Sequence, residues 1–110
     1  MQAGFAEKDM TPVPGTQRAG AYRVMYLEKA HDPLKARAVV FEENREKVAL
    51  VGVDTCIINR AAVQEARRRI SEKTAVRPEN ILIAASHTHA GGSLWGFRPE
   101  ELENAPEVIR

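Results

Sequence analysis

Apolar residues gather into three dense runs along the chain, each bounded by polar or turn-forming residues. Leu34 to Glu42 ("LKARAVVFE") and Lys47 to Val53 ("KVALVGV") are rich in β-branched side chains and predict two strands. The polar "ENRE" between them predicts a hairpin with a loop longer than the tightest kind. Both runs are apolar on successive residues, a pattern that predicts burial on both faces and a central place in a covered sheet. After Asp54 the period changes. From Asn59 to Ala75, Ala62, Val63, Ala66 and Ile70 recur at helical intervals, while Arg60, Gln64, Arg67, Arg68 and Glu72 fall elsewhere. This is the signature of an amphipathic helix with Asn59 as its N-cap and Glu65 in reach of Arg68 or Arg69; its basic C-terminal half suits the helix dipole. Pro78-Glu79-Asn80 closes the helical region, and Ile81 to Ala85 ("ILIAA") predicts a third strand.

Strand, helix and strand between Lys47 and Ala85 have the length of a βαβ unit, which places its two strands parallel through a right-handed crossover. One consequence bears on function. Residues just past both strands, Asp54 after one and Ser86 to His89 after the other, then emerge on the carboxyl edge of the sheet, where such folds bind ligands. Upstream, Ala3 to Asp9 predicts a strand that stops at Thr11-Pro12-Val13-Pro14-Gly15, and Gly15 to His31 reads as loop or irregular strand. Downstream, Gly91 to Phe97 is a glycine-rich loop, and Pro99-Glu100-Glu101 opens a further helix that Pro106 interrupts. The expected fold is α/β, a mixed β-sheet with a βαβ unit and flanking helices, forming one incomplete domain over residues 1–110.

Composition narrows the function classes. A chain of 110 residues with 44% hydrophobic and 28% charged residues and a formal net charge of +1 fits a soluble globular domain and gives no basic surface for nucleic acid. The Arg67-Arg68-Arg69 run therefore reads as a solvated helix face rather than a phosphate patch. A single cysteine, Cys56, allows no internal disulfide and no zinc site of thiol spacing; between Thr55 and Ile57-Ile58 it reads as a small buried hydrophobe. No apolar run approaches the roughly 20 residues of a spanning helix, and the N-terminus lacks a signal-peptide pattern, so no transmembrane segment is expected and the chain reads as cytoplasmic as written.

Two of the three histidines lie one residue apart in "AASHTHAGG", at the point where the third apolar run gives way to glycine. In an extended backbone His87 and His89 would face the same side, about 6 to 7 Å apart, and their imidazoles could converge on one ion. Imidazole is a favoured zinc ligand, and a catalytic zinc site takes three protein ligands and leaves a place for water. The plainer alternative is a pair of polar residues bonded to backbone or water at a strand end. Asp54 can orient a ligating histidine, accept a proton or bind metal, or merely cap nearby amides, and its adjacency to the histidines favours a catalytic role. Ser86 and Thr88 flank the histidines, but no spacing supports a Ser-His-Asp triad, and local hydrogen bonding is the better reading. His31-Asp32-Pro33 reads as a turn before it reads as a ligand source. Trp95 and Phe97, close behind His89, either wall an apolar substrate channel or pack the loop down.

Taken together, "AGFAEKDMTPVPGT", "HDPLKARAVVFE", "VALVGVDT" and "ILIAASHTHAGG" resemble, in order and spacing, the N-terminal part of the neutral/alkaline, non-lysosomal ceramidase family, over nearly all of residues 3 to 92. The resemblance implies a zinc-dependent amidohydrolase that cleaves the N-acyl bond of ceramide or a related lipid amide to a sphingoid base and a fatty acid. It also implies that His87 binds zinc and that His89 lies beside the metal and handles substrate or attacking water. The family pattern continues His-Thr-His-Ser-Gly-Pro, whereas this chain has Ala90 and Gly92 at the serine and proline positions. The remaining family ligands, a further histidine with a glutamate and a tyrosine, would come from the rest of the catalytic domain, expected beyond Arg110. The alternative expectation is a truncated non-catalytic fragment, acting as a weak metal-binding or structural module.

Overall fold

Each of the three apolar runs is a strand in the computed structural model, which describes residues 1–23 and 25–92. The elements are β1 (Gln2–Asp9), β2 (Lys35–Glu43), β3 (Glu46–Val53), α1 (Arg60–Lys73), a single 3₁₀ turn (Pro78–Asn80) and β4 (Ile81–Ala85). They form one four-stranded mixed sheet in the order β1-β2-β3-β4, antiparallel at its first two pairings and parallel between β3 and β4. The fold is thus α/β with the βαβ unit where the change of period placed it. Trp95, Phe97 and the helix expected from Pro99 lie outside the described residues.

The β2–β3 connection is tighter than expected. Glu43 pairs with Glu46, so only Asn44 and Arg45 turn the chain, with φ of 51° and 67°. Two successive left-handed residues make the twist-matched two-residue hairpin, and Asn44 is well suited to the first position. The four-residue polar run overstated the loop because its outer glutamates belong to the ladder.

Among the described residues the sheet is covered on one face, where burial on both was expected. Ala49 and Ile81 are buried with Val76, and Val40, Val51, Ile83 and Ile70 of α1 pack against them. Alternate residues occupy the other face. Phe5, Val39, Leu50 and Leu82 form a continuous row across all four strands by register, and Phe41 pairs with Val48 beside it. Phe5 is 80% exposed and Leu82 55% exposed, so the second apolar face that made β2 and β3 look doubly buried has no cover among the described residues. Strand β1 is exposed along its whole length and is held by its ladder to β2 and by Glu7, which pairs with Lys35 and Arg37.

Helix α1 begins as its sequence dictates: the Asn59 side chain accepts a hydrogen bond from the Ala62 amide at 2.8 Å. Three of its arginines are committed to structure. Arg68 and Arg69 both pair with Glu65, whose carboxyl the Arg68 and then the Arg69 hydrogen bonds hold at a pKa of about 2, from an ordinary 4.5. Arg67 reaches across to the Ile81 carbonyl at 2.7 Å and ties the helix to β4.

Candidate metal centre

Parallel pairing of β3 and β4 brings the residues after both strands together and keeps them zipped past the sheet. The Ser86 amide donates to the Val53 carbonyl at 2.9 Å, and the His87 amide donates to the Thr55 carbonyl at 3.0 Å. Cys56, one residue further along, is therefore beside the His87 side chain. His87 itself is not extended. Its φ of 64° turns the chain, so the two imidazoles meet through this left-handed residue and not through the extended alternation expected from the sequence. A non-glycine residue in that region carries local strain, which gathers at functional sites.

The two rings stand edge to face, with centroids 4.8 Å apart and planes at 85°. Each Nδ1 faces a backbone carbonyl: His87 Nδ1 lies 2.8 Å from the Cys56 oxygen and His89 Nδ1 lies 3.0 Å from the Gly20 oxygen. A carbonyl only accepts, so both Nδ1 atoms carry the hydrogen and donate it. Both Nε2 atoms are then left as bare acceptors, and they face one another at 3.2 Å. Two acceptor lone pairs at that distance repel unless a cation sits between them or a proton is added. The spacing is what two imidazoles adopt on one tetrahedral zinc with bonds of about 2.0–2.1 Å, and the Nδ1–H to carbonyl bond is the usual way a ligating histidine is oriented. The donor set therefore fits a zinc-like ion.

A second segment clasps the histidine loop. Gly15 to Leu27 folds back on itself, with Arg18 N donating to the Met25 carbonyl at 2.7 Å and Leu27 N to the Thr16 carbonyl at 2.8 Å. From it, Ala19 N donates to the Gly91 carbonyl at 2.9 Å, and the Arg18 side chain donates to the His89 carbonyl. Gly20 has φ of 75°, and a Cβ there would meet His89 Nδ1 at 2.6 Å. Only glycine lets its carbonyl approach that imidazole.

Asp54 does not join the histidines. Its Oδ2 accepts from the Lys35 amide at 3.0 Å and from Arg37 Nη1 at 3.4 Å, so the carboxylate is spent on the start of β2 and the expected catalytic role has no geometric basis. The group whose donor atoms lie within 4.8 Å of one another is Cys56, His87 and His89. His31 and Asp32 lie in an exposed bend, as the turn reading expects, and the Thr88 hydroxyl accepts from the Ala90 amide. Trp95 and Phe97, the expected substrate walls, fall outside the described residues. A cleft of about 640 Å³ opens beside the loop, lined in part by Pro12, Met25, Leu27, Leu34 and Thr88, but neither His87 nor His89 lines it.

Sequence reasoning missed Cys56, Gly20 and Arg18 as parts of this site. The signal for Cys56 was topological, since the parallel pair that exposes His87 also brings out the residues after Val53. For Gly20 and Arg18 there was none, because their approach depends on a fold-back without periodicity. No known protein family, curated protein or solved structure matches the chain. Among the described residues, no helix is long and apolar enough to cross a membrane.

Proposed function

We propose that the chain carries the histidine centre of a zinc-dependent, ceramidase-type amidohydrolase acting on the N-acyl amide of ceramide or a related lipid. The observation that carries this reading is the facing of two bare Nε2 atoms at 3.2 Å, with both Nδ1–H groups held by carbonyls. The motif resemblance in residues 3 to 92 supplies the reaction class. Zinc bound here would polarise an amide carbonyl and make water nucleophilic near neutral pH. The chain's own residues fix the acceptors: the Cys56 and Gly20 carbonyls lock both ring tautomers, and Arg18 holds the His89 backbone. His87 and His89 would both hold the metal through Nε2. Asp54 has no part in the proposal.

A second reading, a metal-binding module without catalysis, is favoured by one observation: among the described residues, the cleft beside the loop, lined by Arg18, Glu28, Lys29 and Asp32 as well as by apolar side chains, does not reach the imidazoles. Zinc titration of the chain and of His87→Ala tests the shared premise, and release of fatty acid from an N-acyl sphingoid base separates the two. The amidohydrolase reading expects one zinc per chain and zinc-dependent hydrolysis, both lost in the variant. Zinc binding without hydrolysis would support the module, and undiminished binding by His87→Ala would remove both.

A further inference from the structure

We propose that Cys56 is the third ligand of this centre, which makes it a Cys-His-His site built wholly from the loops after β3 and β4. The proposal rests on reading His87 as a metal ligand and departs from the family expectation, in which only His87 of these residues binds zinc and its fellow ligands come from beyond Arg110. Four observations carry it. Cys56 is 5% exposed, so its thiol faces the protein interior side of the loop and not solvent. Its Sγ lies 3.7 Å from the His87 ring at Nδ1, while its own carbonyl accepts the Nδ1 hydrogen at 2.8 Å. The residue that orients the first imidazole therefore also presents a donor atom next to it. One donor from each of Cys56, His87 and His89 lies within 4.8 Å of the others. Finally, the two imidazoles already meet at ligand spacing, with Nε2 atoms free of hydrogen.

On a tetrahedral zinc with Zn–S of about 2.3 Å and Zn–N of about 2.05 Å, sulfur and nitrogen stand roughly 3.5 Å apart. Sγ stands beside the Nδ1 edge of His87, whose hydrogen the Cys56 carbonyl accepts, so joining the two Nε2 atoms on one ion asks for a rotation about the Cys56 Cα–Cβ bond. Binding replaces the thiol hydrogen by the metal and releases one proton to the buffer. A thiolate with two imidazoles selects a borderline-soft ion such as zinc or cobalt over magnesium or calcium, whose ligands are oxygens. Three protein donors leave one tetrahedral position for an exogenous group.

Cobalt(II) titration of the chain, followed by its electronic spectrum, tests this directly, because a thiolate on cobalt gives a sulfur-to-metal charge-transfer band that imidazole and carboxylate do not. The expected result is one cobalt per chain with that band present. In Cys56→Ser and Cys56→Ala, with the fold checked by circular dichroism, the band should vanish and affinity should fall by more than the ~10–100-fold typical of losing an outer-sphere partner. Cobalt binding to the unaltered chain without a thiolate band, or full affinity in both cysteine variants, would overturn the proposal while leaving His87 in place. Full affinity in His87→Ala would instead overturn the reading beneath it. Magnesium should produce no saturable binding at equal concentration; tighter binding of magnesium than of zinc would also count against the thiolate.

Discussion

A methyl group at Gly20 would sit 2.6 Å from His89 Nδ1, and the residue's φ of 75° already disfavours any side chain. Gly20→Ala thus asks the imidazole to retreat from the carbonyl that fixes its tautomer, while leaving all three donor side chains unchanged. Zinc affinity measured by competition with a chromophoric chelator should fall about 10–100-fold, the range seen when a ligating histidine loses its orienting partner. Affinity equal to that of the unaltered chain would mean that the Gly20 carbonyl does not position His89. His87 is the other residue under constraint: its φ of 64° is held by the Thr55 carbonyl, which accepts its amide, and by the Cys56 carbonyl, which accepts its ring hydrogen. Strain kept by a residue that also presents a bare nitrogen is how a fold spends stability on chemistry.

The elements divide by face. Ile81 is 1% exposed beneath α1, whereas its neighbour Leu82 points to the opposite side and is 55% exposed. Ile81→Ala should therefore destabilise the chain by about 2–5 kcal/mol through lost burial and a residual cavity. Leu82→Lys, a far more radical change in chemistry, should stay within about 0.5 kcal/mol. Chemical denaturation of the two variants checks both values, and a large loss in Leu82→Lys would show that the apolar row from Phe5 to Leu82 is covered in solution. The same asymmetry separates strand positions, which the hydropathy pattern shows, from burial, which among the described residues reaches one face only. Val39 and Val40 are consecutive apolar residues because β2 has two apolar faces, and the hydropathy pattern cannot say which of them finds a helix. The tight hairpin was obscured in a similar way: Glu43 and Glu46 look like loop residues, yet they pair across the ladder because Asn44 and Arg45 accept left-handed backbone.

At the scale of the whole molecule, topology converts a local motif into a site. The change from strand to helix period and back made the parallel β3–β4 pair legible, and with it the shared edge on which His87 emerges. Parallel pairing alone did not decide which neighbours of that edge would matter. Asp54, the first residue past β3, turns back to the Lys35 amide and Arg37, whereas Cys56, two residues later and inconspicuous among apolar neighbours, comes to the imidazole. The fold-back of residues 15–27, which supplies Gly20 and Arg18, has too little regular pairing to leave a pattern in the sequence. What unites these parts is one claim: both ring Nδ1 atoms are protonated and both Nε2 atoms are presented to a single cation. Long-range proton–nitrogen correlation spectra of the histidine rings, recorded on the chain near neutral pH with zinc added stepwise, test it most directly. Nδ1–H tautomers are expected for His87 and His89 in the zinc-loaded chain, with both Nε2 resonances shifting together and saturating at one equivalent. An Nε2–H tautomer for either ring in the loaded chain, or a response confined to one of them, would contradict it.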